Sequence, residues 1–376
     1  MERVKLKDIC TLINGRAYKQ EELLSAGKYP VLRVGNFFSE KDYYYSDLEL
    51  EDDKYCDNGD LLFAWSASFG PKIWNGNKVI YHYHIWKIVI TSKVFLDYLY
   101  YYLLYFSERI KNEGHGGIMI HVTKAEMEER EILLPAIDIQ EKISSVLNKL
   151  NRIINKRKNQ LQKLDNLIKA RFVEMFGSVE KKIPLSTLCD VSGGYSFKSG
   201  DITSDGAVKI LQIGNVYLDD ISWETTNYLP KGYDETYSRF LLNKGDIVVA
   251  LTRPIIQSLG NVKACIVRDL DLPCLLNQRV GRIVPRNNRE VSNQFIYGCL
   301  MTCDFTRYVK SCCIGCSQPN ISSNDIGNYM IPDVSFNEQM MFVNFKEQID
   351  KSKVAIQKSL AETQLLFDKL MQDYFG

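Results

Sequence analysis

Histidine is scarce and long apolar runs are missing. The 376 residues hold four histidines, which restricts histidine-rich metal sites to very few positions. The most apolar stretch, VFLDYLYYYLLYF (94–106), is 13 residues long and carries Asp97. A bilayer-crossing helix needs about 20 apolar residues. The first residues, MERVKLKD, are charged and have no signal-peptide core, so the expectation is a cytoplasmic protein with no membrane association. A strong charge of either sign is absent too: the net charge is +1, which excludes a uniformly basic coat. The ten cysteines are irregularly spaced, and without a secretion signal they read as reduced thiols.

Catalytic signatures are also lacking. A DNA-methylating enzyme would need a cofactor loop and an Asn- or Asp-Pro-Pro-aromatic strand end, and neither string occurs. There is no G-x-x-x-x-G-K loop, no strand-associated G-x-G-x-x-G, no H-E-x-x-H and no G-x-S-x-G. No nuclease cluster stands out, since Pro332-Asp333 has no fitting E-x-K partner. The expectation is a binder that is not an enzyme, with no catalytic residue and no cofactor of its own.

What the chain does contain is itself, twice. Val4, Leu6, Ile9, Cys10, Gly15, Tyr18 and Lys19 face Ile183, Leu185, Leu188, Cys189, Gly194, Phe197 and Lys198 at a constant offset of 179. VLRVGNF (31–37) faces ILQIGNV (210–216), NGDLLFA (58–64) faces KGDIVVA (244–250), and EILLP (131–135) faces NYMIP (328–332). The repeat ends with Phe176-Gly177 against Phe375-Gly376, at an offset of 199. The drift marks small insertions in loops of the second copy. So long a period means two whole domain-plus-linker units, not a solenoid.

Each unit opens with a β-rich segment of Val, Ile, Tyr and Phe between Gly, Asn and Asp turns. A charged helical segment without Gly or Pro follows, 138–176 and 336–375. Leu147, Leu150, Ile154, Leu161, Leu164, Ile168 and Met175 recur at spacings of three and four, with Arg157 and Arg171 on the same seam. Phe342, Phe345, Ile349, Ile356, Phe367, Leu370 and Tyr374 form a similar seam, weakened by Ser352, Ser359 and Thr363. Two amphipathic helices packed separately on their domains would also satisfy this pattern; equal placement and heptad-like spacing favour a coiled coil. The expected fold class is α+β. Two pseudo-repeated domains of mixed β-sheet with helices, 1–135 and 179–332, are separated by two long antiparallel coiled-coil helices, 136–178 and 333–376. Two related heads suit a duplex read at two half-sites.

Two groups could bind a metal. His82 and His84 in YHYHIWK are at strand spacing and would face one side, but further ligands would have to come from His115, His121 or Cys56. Cys299-x3-Cys303 with Cys313-x2-Cys316 has a zinc-like look, yet cysteine also serves as a small buried residue. The expectation is no metal.

Nucleic-acid signals are local. Residues 40–60 hold nine acidic residues against two lysines and should face away from phosphate. The first long helix holds nine basic residues, among them Lys142, Lys149, Lys156 and Lys163, against Asp138, Glu141, Asp165 and Glu174. Such a helix is either a solvated face or a partner for phosphate or an acidic surface. In the first unit the candidate DNA contacts are Arg16, Lys19, Arg33 and Asn36, with Trp65, Ser66, Ser68 and Lys72 in the loop WSASFGPKIWNG (65–76). In the second they are Lys198, Gln212, Asn215, Thr252, Arg253, Gln278, Arg279 and Gln318, with further arginines at 268, 286 and 289. Arginine reads guanine and Gln or Asn reads adenine in the major groove. Equally, Gln278 and Arg279 could be buried supports at a strand start, and Trp65 and Trp74 could be core.

The order of GYSFK, LQIGNV, KGDIVVALTR, LLNQRVGRIVP, GCSQPNIS and IPDVSFNEQ, with VLRVGNF, NGDLLFAWSASFG and LLPAIDIQEKI in the first unit, resembles the specificity subunit of type I DNA restriction-modification systems. The resemblance covers essentially the whole chain. It implies that each head is a target recognition domain for one half of a split double-stranded DNA site, and that the helices set the spacer. It implies two modification subunits with S-adenosylmethionine, and for restriction a motor-nuclease subunit using ATP and Mg2+. The cysteines at 312, 313 and 316 stand where the family has small or hydroxyl residues, and GGIMIHVTKAEM (116–127) replaces the Gln-Pro-Asn string in the first unit. An enzyme of new type with duplicated catalytic domains, a protein-binding scaffold and a specificity partner for a fused type II methylase-nuclease are the competing readings.

Overall fold

The computed structural model describes residues 2–39, 42–66, 69–113, 121–256, 260–286, 290–313 and 319–376. The chain folds as two compact units, one of residues 1–159 with 357–376, the other of residues 160–356. The division falls inside the two long helices, Ile137–Phe176 and Phe336–Phe375. Each is 40 residues, about 60 Å at 1.5 Å per residue.

The same scaffold is built in each unit. In the first, a four-stranded antiparallel sheet has the order Cys10–Asn14, Ile85–Ile90, Leu61–Ala64, Gly70–Ile73. In the second the order is Cys189–Gly193, Val280–Pro285, Ile247–Ala250, Ala264–Ile266. A smaller mixed sheet carries a parallel pair in both, Val31 opposite Ile80 and Ile210 opposite Leu275. A two-stranded ribbon, Glu2–Lys5 with Glu131–Leu134 and Lys182–Pro184 with Met330–Pro332, closes the segment before each long helix. The apolar positions that repeat along the sequence form the cores: Leu6 and Leu185, Ile9 and Leu188, and Cys10 and Cys189 are all buried.

The apolar run 94–106 becomes most of a helix, Leu96–Glu113. Its tyrosines satisfy their hydroxyls internally, Tyr98 donating to the Leu133 carbonyl (2.8 Å), Tyr102 to Glu131 (2.9 Å) and Tyr101 to the Asn148 side chain (2.7 Å). No helix among the described residues is long and apolar enough to cross a membrane. The second unit has two shorter helices here, Asn293–Leu300 and Cys303–Cys312, because Thr302 caps a new start by accepting from the Phe305 amide.

In the first unit Ile143, Leu147, Ile154, Phe367 and Met371 share one core, with Leu150, Leu360 and Leu370 packed against it. In the second, Phe172 meets Phe342 with ring centroids 5.1 Å apart, and Lys353 pairs with Asp165 at 2.6 Å. In the second unit the two helical segments run antiparallel, Asp165, Arg171 and Phe172 meeting Lys353, Phe345 and Phe342 in turn. The second helix's seam differs from the expected one at two steps: Lys353 and Leu360 are half-buried, whereas Ser352 is exposed. The periodicity tolerates a lysine there because Asp165 accepts its charge-assisted hydrogen bond.

The repeated Phe-Gly ends are docking points. Phe176 packs on Phe295 (5.1 Å) in the second unit, and Phe375 on Tyr98 (5.2 Å) in the first. At the other end of each helix, a glutamine in the first turn is buried. Gln140 accepts from the Phe95 amide (2.8 Å) and donates to the carbonyls of Pro135 (2.8 Å) and Lys93 (3.2 Å). Gln339 accepts from Ser292 (2.9 Å) and donates to Val334 (3.4 Å).

Truncating either glutamine removes a buried side chain and strands a part-buried backbone amide, that of Phe95 or Ser292. Gln140→Ala and Gln339→Ala should each lower unfolding free energy by about 1–3 kcal/mol, read by denaturant titration of the purified chain.

Candidate nucleic-acid interface

The repeated strings converge on one backbone arrangement at the end of the larger sheet. Gly15 and Gly194 lie so close to the neighbouring strand that a Cβ would sit 2.2 Å from the Tyr81 carbonyl oxygen or 2.3 Å from that of Asn277. Only glycine fits there. That approach seats a tight turn in each unit, 82–85 and 277–280.

The two turns are held by matching hydrogen bonds. Ile85 donates to the His82 carbonyl and Val280 to that of Asn277, both at 2.9 Å. His82 donates to Leu32 (2.9 Å) and Asn277 to Leu211 (3.1 Å). Tyr83 donates to Arg16 (3.1 Å) and Gln278 to Tyr195 (2.9 Å). The His84 carbonyl accepts from Trp65 (3.1 Å), and that of Arg279 from Leu251 (2.9 Å). One residue on, Ser66 bridges His121 and Thr252 bridges Asn320. Next come the caps Thr123 and Ser322, each in a box with Glu126 or Asp325. His121 therefore occupies the place of Asn320, the last residue of the Gln-Pro-Asn string.

His82 and His84 lie on this turn and not on a strand, because the chain reverses between them. Burial pushes the His82 imidazole down to about 4, with His84 and Arg33 adding to the effect. His84 is lowered by burial and then by His121. Trp65 stacks on His121 (4.9 Å) and lies edge-on to His84 (4.9 Å), with its Nε1 donating to the Tyr83 carbonyl (2.9 Å). It is half-buried in an aromatic cluster, whereas Trp74 is core.

Several expected contact residues are used inside the protein. Asn36 and Asn215 are buried: each side chain accepts from the amide three residues earlier, Arg33 (2.7 Å) or Gln212 (2.9 Å), closing the V-G-N and I-G-N turns. Asn215 also donates to the Ser222 carbonyl (3.0 Å). Lys72 is likewise engaged, its Nζ donating to the Phe37 carbonyl (2.6 Å) and its pKa lowered by burial. Gln212 accepts from Asn227 (2.7 Å). Arg16 is held by both oxygens of Glu22 (2.7 and 2.9 Å), which raises its pKa and lowers that of Glu22. Arg33 is half-buried over the Tyr44 ring (5.2 Å).

The others reach the surface. Lys19 and Lys198 are exposed, and Ser66 and Thr252 are half-buried at the rim. Gln278 and Arg279 are exposed on the second turn, so they are not buried supports. Arg253 is exposed with a left-handed φ of 47°, a conformation costly for a side-chain-bearing residue, and its amide donates to the Pro319 carbonyl (2.8 Å). Arg268, Arg282 and Arg286 are instead bound by Asp271, Asp246 and Asp190. Ser68, Arg289 and Gln318 lie outside the described residues, as do His115 and Cys316. Cys299 is buried while Cys303 is exposed. No group of three or more metal-ligating side chains forms among the described residues.

The sequence reading passed over Tyr83, weighed His84 only as a metal ligand, and did not place His121 here. For Tyr83 and His84 the signal was alignment of HYHIW (82–86) with NQRVG (277–281), which the loop insertions obscured.

The His82 shift has a sign. The unfolded chain takes up this proton near pH 6.5 and the folded one near 4. The unfolded state therefore binds more protons between those values, and stability falls as pH drops through that window. An NMR titration should show a neutral His82 ring above pH 5. His82→Asn, which installs the residue of the second unit, should flatten that part of the stability profile.

Comparison with known proteins gives a consistent family. The model for the type I restriction modification DNA specificity domain matches residues 1–163 and again 180–364. The type I restriction enzyme MjaVIII specificity subunit of Methanocaldococcus jannaschii is 31% identical over 310 residues, 77% of this chain and 72% of the relative. The type I restriction enzyme EcoAI specificity subunit of Escherichia coli is 29% identical over 187 residues, 48% of this chain and 30% of its own. The crystal structure of a type I restriction-modification S subunit from M. genitalium aligns over 100% of this chain and 96% of its own, with a TM-score of 0.57 and 17% identity, a likeness of fold.

Proposed function

Because the chain belongs to the type I restriction modification DNA specificity family, we propose that it is the non-catalytic specificity subunit of such a system. Each unit reads one half of a bipartite, asymmetric site in double-stranded DNA, and the paired helices set the gap. The observation that carries this reading is a single hydrogen-bonded frame built twice, presenting Tyr83-His84 in one unit and Gln278-Arg279 in the other. Two unlike half-sites need two readers on one scaffold.

The chemistry belongs to partners. Two modification subunits supply S-adenosylmethionine and methylate adenine; a motor-nuclease subunit, with ATP and Mg2+, performs restriction. This chain's residues bind and orient DNA, through phosphate contacts that position it and base contacts that select it. The basic face of the first long helix faces the spacer phosphates or an acidic partner surface.

The test is co-expression with a modification subunit encoded beside it, followed by single-molecule sequencing for N6-methyladenine. A split motif, two short halves with a constant gap, is expected. Exchange of residues 1–135 for another member's first unit should change one half alone. An assembled complex that methylates no split motif overturns the reading.

A further inference from the structure

Between the two units the turn at 82–85 and 277–280 keeps its backbone and changes its chemistry. Beneath it the residues are alike: Gly15 and Gly194, then Ile85 and Val280, both buried. The turn amides and carbonyls named above are committed to the scaffold at 2.9–3.1 Å in both units. The two central side chains make none of these backbone hydrogen bonds. Tyr83 is 36% exposed, Gln278 and Arg279 are exposed, and His84 is half-buried against Trp65. Arg279 has no carboxylate partner among the described residues, unlike Arg268, Arg282 and Arg286 in the same unit. A guanidinium held on a rigid turn without a counter-charge is arranged for an external acceptor.

We propose that the residue pairs Tyr83-His84 and Gln278-Arg279 are equivalent specificity-determining positions, each reading adjacent base edges in its own unit's half-site. The proposal rests on the specificity-subunit reading and deepens it to named residues. Arg279 offers the fork that matches O6 and N7 of guanine, and Gln278 the amide that matches N6 and N7 of adenine. Tyr83 and His84, backed by Trp65 and His121, offer an aromatic surface with single hydrogen-bonding groups. Such a surface suits a thymine methyl with one polar contact. Because the scaffold hydrogen bonds come from backbone atoms, the pairs can be exchanged without rebuilding the turn.

The experiment uses the full chain in its co-expressed complex. One double variant carries Tyr83→Gln and His84→Arg, the other Gln278→Tyr and Arg279→His, and N6-methyladenine motifs are mapped at single-molecule resolution. The expected result is a change at one or two neighbouring bases, in one half for the first variant and the other half for the second. The gap and the untouched half stay constant. Both variants methylating the unaltered motif would overturn the proposal. A wild-type complex without a split motif would instead defeat the underlying reading, so the two failures are distinct.

A variant complex that assembles but does not methylate is resolved by DNA binding of Arg279→Ala. A loss of about 5- to 150-fold on the cognate duplex, absent on a duplex changed at the base read, supports the assignment. Equal loss on every duplex marks a phosphate contact and overturns it.

Discussion

A single buried glutamine at the first turn of each long helix ties helix to body. Gln140 and Gln339 are embedded where no water reaches, and each satisfies backbone groups of two separate segments. A buried amide side chain is tolerable only when its donors and acceptors are matched, so helix start, preceding ribbon and neighbouring loop must adopt one geometry together. The phenylalanines at the far ends, Phe176 and Phe375, contribute the second anchor through apolar packing. Between these anchors the helices keep their apolar seams covered, and one charged pair, Asp165 with Lys353, is admitted because it is mutual.

Within each unit the labour is divided. Backbone groups, which cannot vary with sequence, hold the turn; side chains, which can, point outward from it. The close approach of Gly15 and Gly194 makes this possible by letting the chain pass a neighbouring carbonyl at a distance no other residue allows. Two of the candidate contact residues, Asn36 and Asn215, belong to the frame, closing turns with their own side-chain oxygens. Two copies of the frame with unlike tips are what an asymmetric, divided DNA site requires of one polypeptide.

Charge follows the same division. Arg268, Arg282 and Arg286 in the second unit are neutralised locally by aspartates, and Arg16 in the first is neutralised by Glu22. These pairs lock loops and leave little field for a distant phosphate. Arg279, Arg253, Lys19 and Lys198 are exposed, so a chain with net charge +1 still presents cationic groups locally.

The duplication, the two long helices and their apolar seams were legible from sequence, because periodicity and equal spacing are one-dimensional properties set by helix geometry and by the repeat itself. The glycine pair and the Phe-Gly ends were visible as strings, though not what they touch. Tertiary structure alone decided which polar side chains face outward. Asn36, Asn215, Lys72 and Arg16 carry recognition chemistry in composition, but their partners are carbonyls, amides and a carboxylate brought near by folding. His121 and Asn320 share no motif, yet each forms the equivalent bridge in its own unit, to Ser66 and to Thr252. A hydrogen bond needs two groups within about 3 Å; which groups meet at that distance depends on the whole packed unit, and no local pattern encodes it.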